Sequence, residues 1–209
     1  MNQPVLSWPV SAGRAEPAER ADAARNRRLL LATAQEMLAA DGADKLTMDG
    51  LAEQAGLGKG TVFRRFGTRA GIFRALLDDA ERSFQELVLT GPPPLGPGAP
   101  PLDRLVAYGR ARIGFLIEHR DIARASLDGS QPIPAGSRTP MSQLHIRVLL
   151  SQLDLGPADL DMLAVQLTAA LDGPLLLYLS ADDLTDPAPR TADRIARAWQ
   201  DLIRRACRP

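Results

Sequence analysis

A stretch of unbalanced positive charge carries the clearest chemistry in the sequence. Between positions 56 and 74 there are five basic residues and no acidic residue, although the 209-residue chain has a formal net charge of +0. Guanidinium and ammonium groups pair with phosphates and donate to guanine edges, and a nearby hydroxyl or ring can contact phosphates or thymine methyl groups. The stretch therefore predicts DNA binding, with a solvated basic face as the alternative. The basic residues are Lys59, Arg64, Arg65, Arg69 and Arg74.

The same stretch overlaps a spacing typical of a helix-turn-helix, in the run TMDGLAEQAGLGKGTVFRRF. Two short helices that cross steeply need a small residue at their contact, here Ala52, and a glycine where the turn takes positive φ, here Gly56. Val62 would then face back from the second helix, and Thr47 can cap the first. The second helix, predicted over residues 59–66, has the composition of one that enters the major groove.

The run LTMDGLAEQAGLGKGTVFRRFGTRAGIFRALL, within residues 27–80, resembles the N-terminal domain of TetR-type transcriptional regulators. The resemblance covers about a quarter of the chain. It implies three helices that hold the DNA reader and a fourth that leads into a ligand-sensing domain. Phe63 stands where the family often has a tyrosine, so a hydroxyl contact to phosphate is lost there. Arg69 stands where the family commonly has a lysine that binds phosphate, and it preserves that charge.

The charge pattern and the resemblance together predict which residues contact double-stranded operator DNA. We expect base contacts from Lys59, Thr61 and Arg64, and phosphate contacts from Thr47 and Arg69. The full predicted set is Thr47, Lys59, Gly60, Thr61, Phe63, Arg64, Arg65 and Arg69.

Composition favours an all-α protein. Hydrophobic residues make up 45% of the chain but aromatic residues only 4%, whereas β proteins depend on β-branched and aromatic side chains. The single cysteine, Cys207, excludes an internal disulfide and argues against a metal cluster, so we expect neither metal nor cofactor. Because no stretch approaches the roughly 18 apolar residues that span a bilayer, we expect a cytoplasmic protein without a membrane partner.

Periodicity and breakers predict the order of the helices. Helical patterns cover residues 24–41, then 68–89, 102–119, 121–127, 141–153, a long apolar segment from 157, and 188–206. The proline- and glycine-rich segments 91–101 and 128–140 read as breaks. In the long apolar segment, Gly173 and Pro174 predict a kink.

These elements predict an N-terminal three-helix DNA-binding domain followed by a larger helical domain for ligand sensing and dimerisation. We expect a flexible N-terminal tail over residues 1–22, the helix-turn-helix domain over 23–68, and the larger domain over 69–209. The tail contains Pro4, Pro9 and Pro17. It reads as a disordered extension, with an arm that follows the minor groove as the alternative.

The resemblance implies a small-molecule effector, a pocket among the middle helices and a homodimer formed by the last two helices. The pocket would accept an apolar or weakly cationic compound. Its expected walls are Tyr108, Arg112, Phe115, Met141, His145, Leu149 and Leu171. For His145, a buried core role is the alternative to ligand contact.

The dimer would be a four-helix bundle between two chains, which places two reading helices on one face of DNA. The expected interface residues are Leu163, Leu167, Leu175, Ile195, Trp199 and Leu202. The alternative is that both apolar stripes fill the core of a monomer.

Enzymatic patterns are weak in this sequence. The run GLGKGT is not a phosphate-binding loop, because Gly60 rather than serine or threonine follows Lys59. The two histidines, His119 and His145, are too few for a metal site without nearby cysteines. We therefore expect a dimeric DNA-binding regulator, most simply a repressor that a small molecule releases. A helical ligand-binding or scaffold protein with a vestigial reader is the alternative.

Overall fold

The described part of the chain is all helical. The computed structural model describes residues 17–127, 140–179 and 188–207, and the surroundings of side chains over 21–127, 141–173 and 192–207. No strand occurs in these ranges, which confirms the all-α prediction. The helices are α1 Pro17–Asp41, α2 Met48–Gln54, α3 Lys59–Phe66, α4 Arg69–Thr90, α5 Pro101–Glu118, α6 Arg120–Ala125, α7 Pro140–Leu150, α8 Leu160–Leu179 and α9 Ala188–Ala206.

Local signals explain most helix boundaries. α3 and α9 have the predicted bounds, and Thr68 caps α4 because its Oγ1 accepts a hydrogen bond from the Gly71 amide at 3.1 Å. α1 begins at Pro17, inside the segment predicted as a tail, because a proline suits the first turn of a helix. The rest of that predicted tail, residues 1–16, lies outside the described ranges. α7 ends at Leu150 and α8 begins at Leu160, so both are shorter than expected.

The first four helices share an N-terminal core. Its apolar side chains come from one face of each helix, and a short 3-10 helix, Ala43–Lys45, connects α1 to α2. α6 returns to this core, because Ile122 and Ala125 pack against it. The fully buried members include Leu30, Leu46, Leu51, Val62, Ile72, Phe73 and Leu76.

A second, C-terminal core lies among the later half of α4 and helices α5, α7, α8 and α9. Trp199 of α9 is 3% exposed, and its indole Nε1 donates to the carbonyl oxygen of Leu105 on α5 at 3.0 Å. Gly109 lets the two helices approach, since its missing side chain leaves room for the indole. The contact between α5 and α9 therefore depends on one small residue. Within the described ranges, no helix has the length and apolarity needed to cross a membrane.

We predict that Gly109→Ala destabilises the fold by about 1–3 kcal/mol, as overpacked core substitutions do. The added Cβ would lie 1.9 Å from Nε1 of Trp199, and neither the indole nor its hydrogen bond can stay in place. The control is Gly114→Ala on the same helix, where a Cβ has no neighbour within 4 Å. That change should be neutral or stabilising, because alanine is the better helix former. Urea denaturation measures both, and equal midpoints for the two variants would contradict the prediction.

Candidate nucleic-acid interface and internal cleft

The helix-turn-helix frame forms as its residue types require. Thr47 Oγ1 accepts from the Gly50 amide at 3.0 Å and begins α2. Gly56 has a φ of 64°, a conformation that glycine adopts without steric penalty. Ala52 and Val62 are 2% and 0% exposed where α2 meets α3. Leu57 closes the turn, because its amide donates to the Ala52 carbonyl at 3.0 Å. This buried frame fixes the orientation of α3.

α3 presents polar and aromatic groups to solvent. Phe63 is 52% exposed, which makes it available for contact outside the chain. Lys59 Nζ lies 2.9 Å from Asp49 Oδ2, but both side chains are more than 60% exposed, so this ion pair contributes little. Arg64 is exposed and makes no hydrogen bond or ion pair in the described part of the chain. Gly60 is also exposed, with open space where a Cβ would be.

Two of the predicted DNA-binding arginines bond within the chain. Arg65 Nη2 donates to the Ala23 carbonyl on α1 at 2.7 Å. Arg69 donates from Nε to the Leu46 carbonyl at 2.7 Å and from Nη2 to the Ala43 carbonyl at 2.6 Å. Its guanidinium also lies 5.0 Å from the centre of the Phe73 ring. Arg69 therefore ties the α1–α2 connection to α4, a role that its type and position did not reveal, and its phosphate contact stays a prediction.

A cleft of about 500 Å³ separates α1 from α3. Thr61, Arg64 and Arg65 line it from α3, so one side of this cleft continues the basic surface. The α1 side carries Asp22 and Asn26. The structure thus brings Lys59, Gly60, Phe63 and Arg64 to one exposed helix surface, with Thr61 and Arg65 nearer to α1.

The predicted ligand pocket is a narrow cleft between α4, α5 and α7. Its volume is about 10 Å³, which is room for about one water molecule. Three predicted residues line it, Tyr108, Met141 and His145. The α4 side was missed, because a helical stripe does not show which neighbour it faces. The missed lining residues are Glu81, Phe84, Gln85 and Val88.

Arg112 and Phe115 lie beside this cleft in the C-terminal core. Arg112 is 3% exposed, and its Nη1 forms an ion pair with Glu81 Oε2 at 2.6 Å. The guanidinium lies 5.7 Å and 5.1 Å from the ring centres of Phe84 and Phe115. Burial raises the pKa of Asp172 nearby, although the Arg112 charge acts against this. Leu149 and Leu171 are 0% and 2% exposed in the same core.

Tyr108 and His145 form the polar wall of the cleft. The Tyr108 hydroxyl donates to Ser142 Oγ at 2.6 Å, and burial raises the pKa of this tyrosine. The Tyr108 and His145 rings have centres 4.9 Å apart. Burial, and secondarily the charge of Arg104, lowers the pKa of His145 to about 4, so its ring is neutral at pH 7.

The predicted dimer residues do not form one exposed surface. Trp199 and Leu167 are each 3% exposed inside a single chain, because they pack in its own core, as the alternative to an interface had them. Leu163 and Ile195 are half-buried against that core. Leu202 is 40% exposed. The Leu175 side chain lies outside the described surroundings. Large apolar residues that are exposed on α7, α8 and α9 are Leu144, Val148, Met162, Val165 and Leu202.

We predict that Arg69→Gln lowers the melting temperature of the free protein. The change removes two hydrogen bonds from a charged donor, each worth about 1.5–3 kcal/mol. Arg64→Gln is the matched control and should melt like the wild type, because Arg64 is exposed without a partner in the described ranges. Thermal denaturation followed by circular dichroism without DNA measures both. An unchanged melting temperature for Arg69→Gln together with weaker DNA binding would instead assign Arg69 to phosphate.

Comparison with known proteins agrees with this geometry. Residues 30–76 match the family model described as bacterial regulatory proteins, tetR family. The DNA-binding transcriptional repressor TetR of Mycobacteroides abscessus is 39% identical over 59 residues. That match spans 28% of this chain and 31% of the repressor, so the chain matches about a third of that relative's length.

Solved structures share the fold over most of the chain. A TetR-family transcriptional regulator from Pectobacterium atrosepticum is 21% identical with a TM-score of 0.68, covering 91% of this chain and 98% of that one. A regulator of the TetR/AcrR family from Thermobifida fusca is 17% identical with a TM-score of 0.57, covering 85% and 97%. Residues 30–76 therefore carry a helix-turn-helix domain that matches the bacterial tetR regulatory family, and the described helices have the fold of solved TetR-family structures.

Proposed function

We propose that the chain is a repressor that binds a palindromic operator as a dimer and leaves it when a small molecule enters the cleft of the C-terminal core. One observation carries the DNA-binding part of this proposal. An exposed surface of α3, with Lys59, Phe63 and Arg64, stands on a helix-turn-helix frame whose inner residues are fully buried. The similarity to a repressor over 59 residues supports the direction of the regulation. Such a role places the protein in the cytoplasm, with the DNA.

In this proposal α3 reads bases from the major groove. Arg64 is free to reach a guanine edge, where a bidentate arginine contributes about 1–3 kcal/mol of discrimination. The exposed Phe63 ring suits contact with a thymine methyl group. Lys59 would exchange Asp49 for a phosphate or a base, since the exposed ion pair between them is weak.

A single short helix contacts few base pairs, so two copies are needed for a useful affinity. Dimers of helix-turn-helix proteins place their reading helices about 34 Å apart, one turn of DNA. The exposed apolar residues Met162 and Val165 on α8 and Leu202 on α9 support an interface on these helices. They replace Trp199 and Leu167, which are buried in one chain, as the proposed contacts.

In this proposal the protein leaves the DNA when a ligand opens the cleft. A ligand much larger than water needs α4 to separate from α5 and α7, because the free volume between these helices is about 10 Å³. α4 also carries Ile72 and Phe73 of the N-terminal core, so its displacement shifts α3. A ligand that prefers the open state by about 1.4 kcal/mol lowers DNA affinity tenfold.

We predict that Arg64→Ala weakens operator binding by about 1–3 kcal/mol and relaxes preference at one base pair, because a base contact is lost. Fluorescence anisotropy with operator and shuffled duplexes, at matched salt, measures both effects. The control is Arg110→Ala, an exposed arginine on α5 that donates to Gln200 far from α3. Equal losses on operator and shuffled DNA would remove Arg64 from base reading.

We predict that Leu202→Asp converts the dimer to monomers, because an unpaired carboxylate buried in an interface costs about 3–5 kcal/mol. Leu29→Asp is the matched control: that leucine is 45% exposed on α1, against 40% for Leu202 on α9, and the variant should remain dimeric. Light scattering at equal protein concentrations distinguishes the two. A stable Leu202→Asp dimer would place the interface elsewhere.

A further inference from the structure

Three ring or guanidinium nitrogens in the C-terminal domain are buried without a hydrogen-bond partner in the described part of the chain. They are Nε of Arg104 and Nε of Arg112 on α5, and Nε2 of His145 on α7, which lines the cleft. More than about 90% of buried polar groups in proteins are satisfied, so each exception calls for an explanation. All three atoms can donate hydrogen bonds, since a guanidinium Nε carries a proton and a neutral imidazole carries its proton on either nitrogen. Because the charge of Arg104 also acts on the His145 ring, unsatisfied donors on these two residues indicate a missing acceptor between them.

The charge of Arg104 is not compensated, in contrast to that of Arg112 on the same face of α5. Arg104, Tyr108 and Arg112 follow one another at four-residue spacing on α5, so they lie along one side. The charge of Arg112 is compensated by Glu81 at 2.6 Å. Arg104 is half-buried and has neither an ion pair nor a hydrogen bond among the described residues. It lies close enough to His145 for its charge to disfavour protonation of that ring.

The remaining charged groups around the cleft leave this positive charge unbalanced. Glu81 is paired with Arg112, and burial favours the neutral forms of Asp172 and His145. Apart from the neutral amide of Gln85, the other walls are apolar or aromatic, with Phe84, Val88 and Met141 among them. Within the described residues, a cleft with mostly apolar walls thus has one uncompensated cation, Arg104, one helical turn before its wall residue Tyr108.

We infer that the effector is an organic carboxylate with an apolar or aromatic body. This inference rests on the proposed effector role of the cleft and names the chemical class that it would accept. The carboxylate would pair with the guanidinium of Arg104 and accept from Nε2 of His145, because a planar anion with two oxygens can accept from both donors. The apolar body would lie against Phe84, Tyr108 and Met141. A cationic ligand, which the sequence had suggested as an option, would meet the unbalanced charge of Arg104.

Calorimetry with three probes that share one body tests this inference. The probes are 4-phenylbutyrate, 4-phenylbutanamide and 4-phenylbutylamine, titrated into the purified full-length protein. We expect the carboxylate to bind at least about tenfold more tightly than the amide or the amine, as a charge-assisted pair would give. Tighter binding of the amide or amine, or no binding by any probe, would overturn the inference.

Substitutions of Arg104 test whether the preference for the carboxylate depends on the charge of this side chain or on its packing. Arg104→Gln should abolish the tenfold preference for the carboxylate, whereas Arg104→Lys keeps the charge and should retain most of it. Arg110→Gln on the exposed side of α5 should change nothing, and melting temperatures check that each variant is folded. An unchanged preference in Arg104→Gln would reject the site.

DNA binding measured on the same preparations keeps the two proposals apart. Operator binding without any carboxylate preference would reject the ligand class and leave the proposed function intact. A wild-type protein that does not bind DNA would reject the proposed function, whatever the calorimetry shows.

Discussion

One helix belongs to both cores, and the rest of the structure depends on it. The first half of α4 packs Ile72, Phe73 and Leu76 into the N-terminal core, and its second half packs Phe84 and Val88 into the C-terminal core. At 1.5 Å per residue, its 22 residues form a hydrogen-bonded rod of about 33 Å. A shift at one end of such a rod must be accommodated at the other end.

Cations fix this helix to its neighbours at three levels. Arg69 holds the α1–α2 connection at its start, and Arg74 Nη1 donates to the Ser126 carbonyl after α6 at 3.2 Å. Farther along, Glu81 pairs with the buried Arg112 of α5. A buried ion pair adds little net stability, but breaking it leaves a charge without compensation. The Glu81–Arg112 pair therefore defines the position of α4 against α5 more than it stabilises the fold.

Local chemistry made much of this structure predictable. The bounds of α3, the caps at Thr47 and Thr68 and the positive φ of Gly56 depend on residues within one turn of each other. What a side chain contacts across the fold was not predictable in the same way. Trp199 lies on an amphipathic stripe that looks the same whether it faces its own core or a partner.

The hydrogen-bond and ion-pair partners of charged side chains could not be predicted from the sequence either. The donors of Arg69 reach carbonyl groups 23 and 26 positions earlier in the chain, and nothing in its own segment indicates this. The α4 wall of the cleft, with Glu81 and Phe84, was also missed, because periodicity defines a face but not its neighbour. Only the packing of α4 against α5 and α7 reveals the unpaired nitrogens of Arg104 and His145.

A nuclease footprint of the purified protein on the DNA upstream of its own gene tests the central claim most directly. If α3 reads DNA from a dimer, two related half-sites on one face of the duplex will be protected, with centres about 34 Å apart. Protection should persist against an excess of shuffled DNA. A single protected half-site would contradict the dimeric arrangement, and protection no stronger than on shuffled DNA would contradict specific reading by α3.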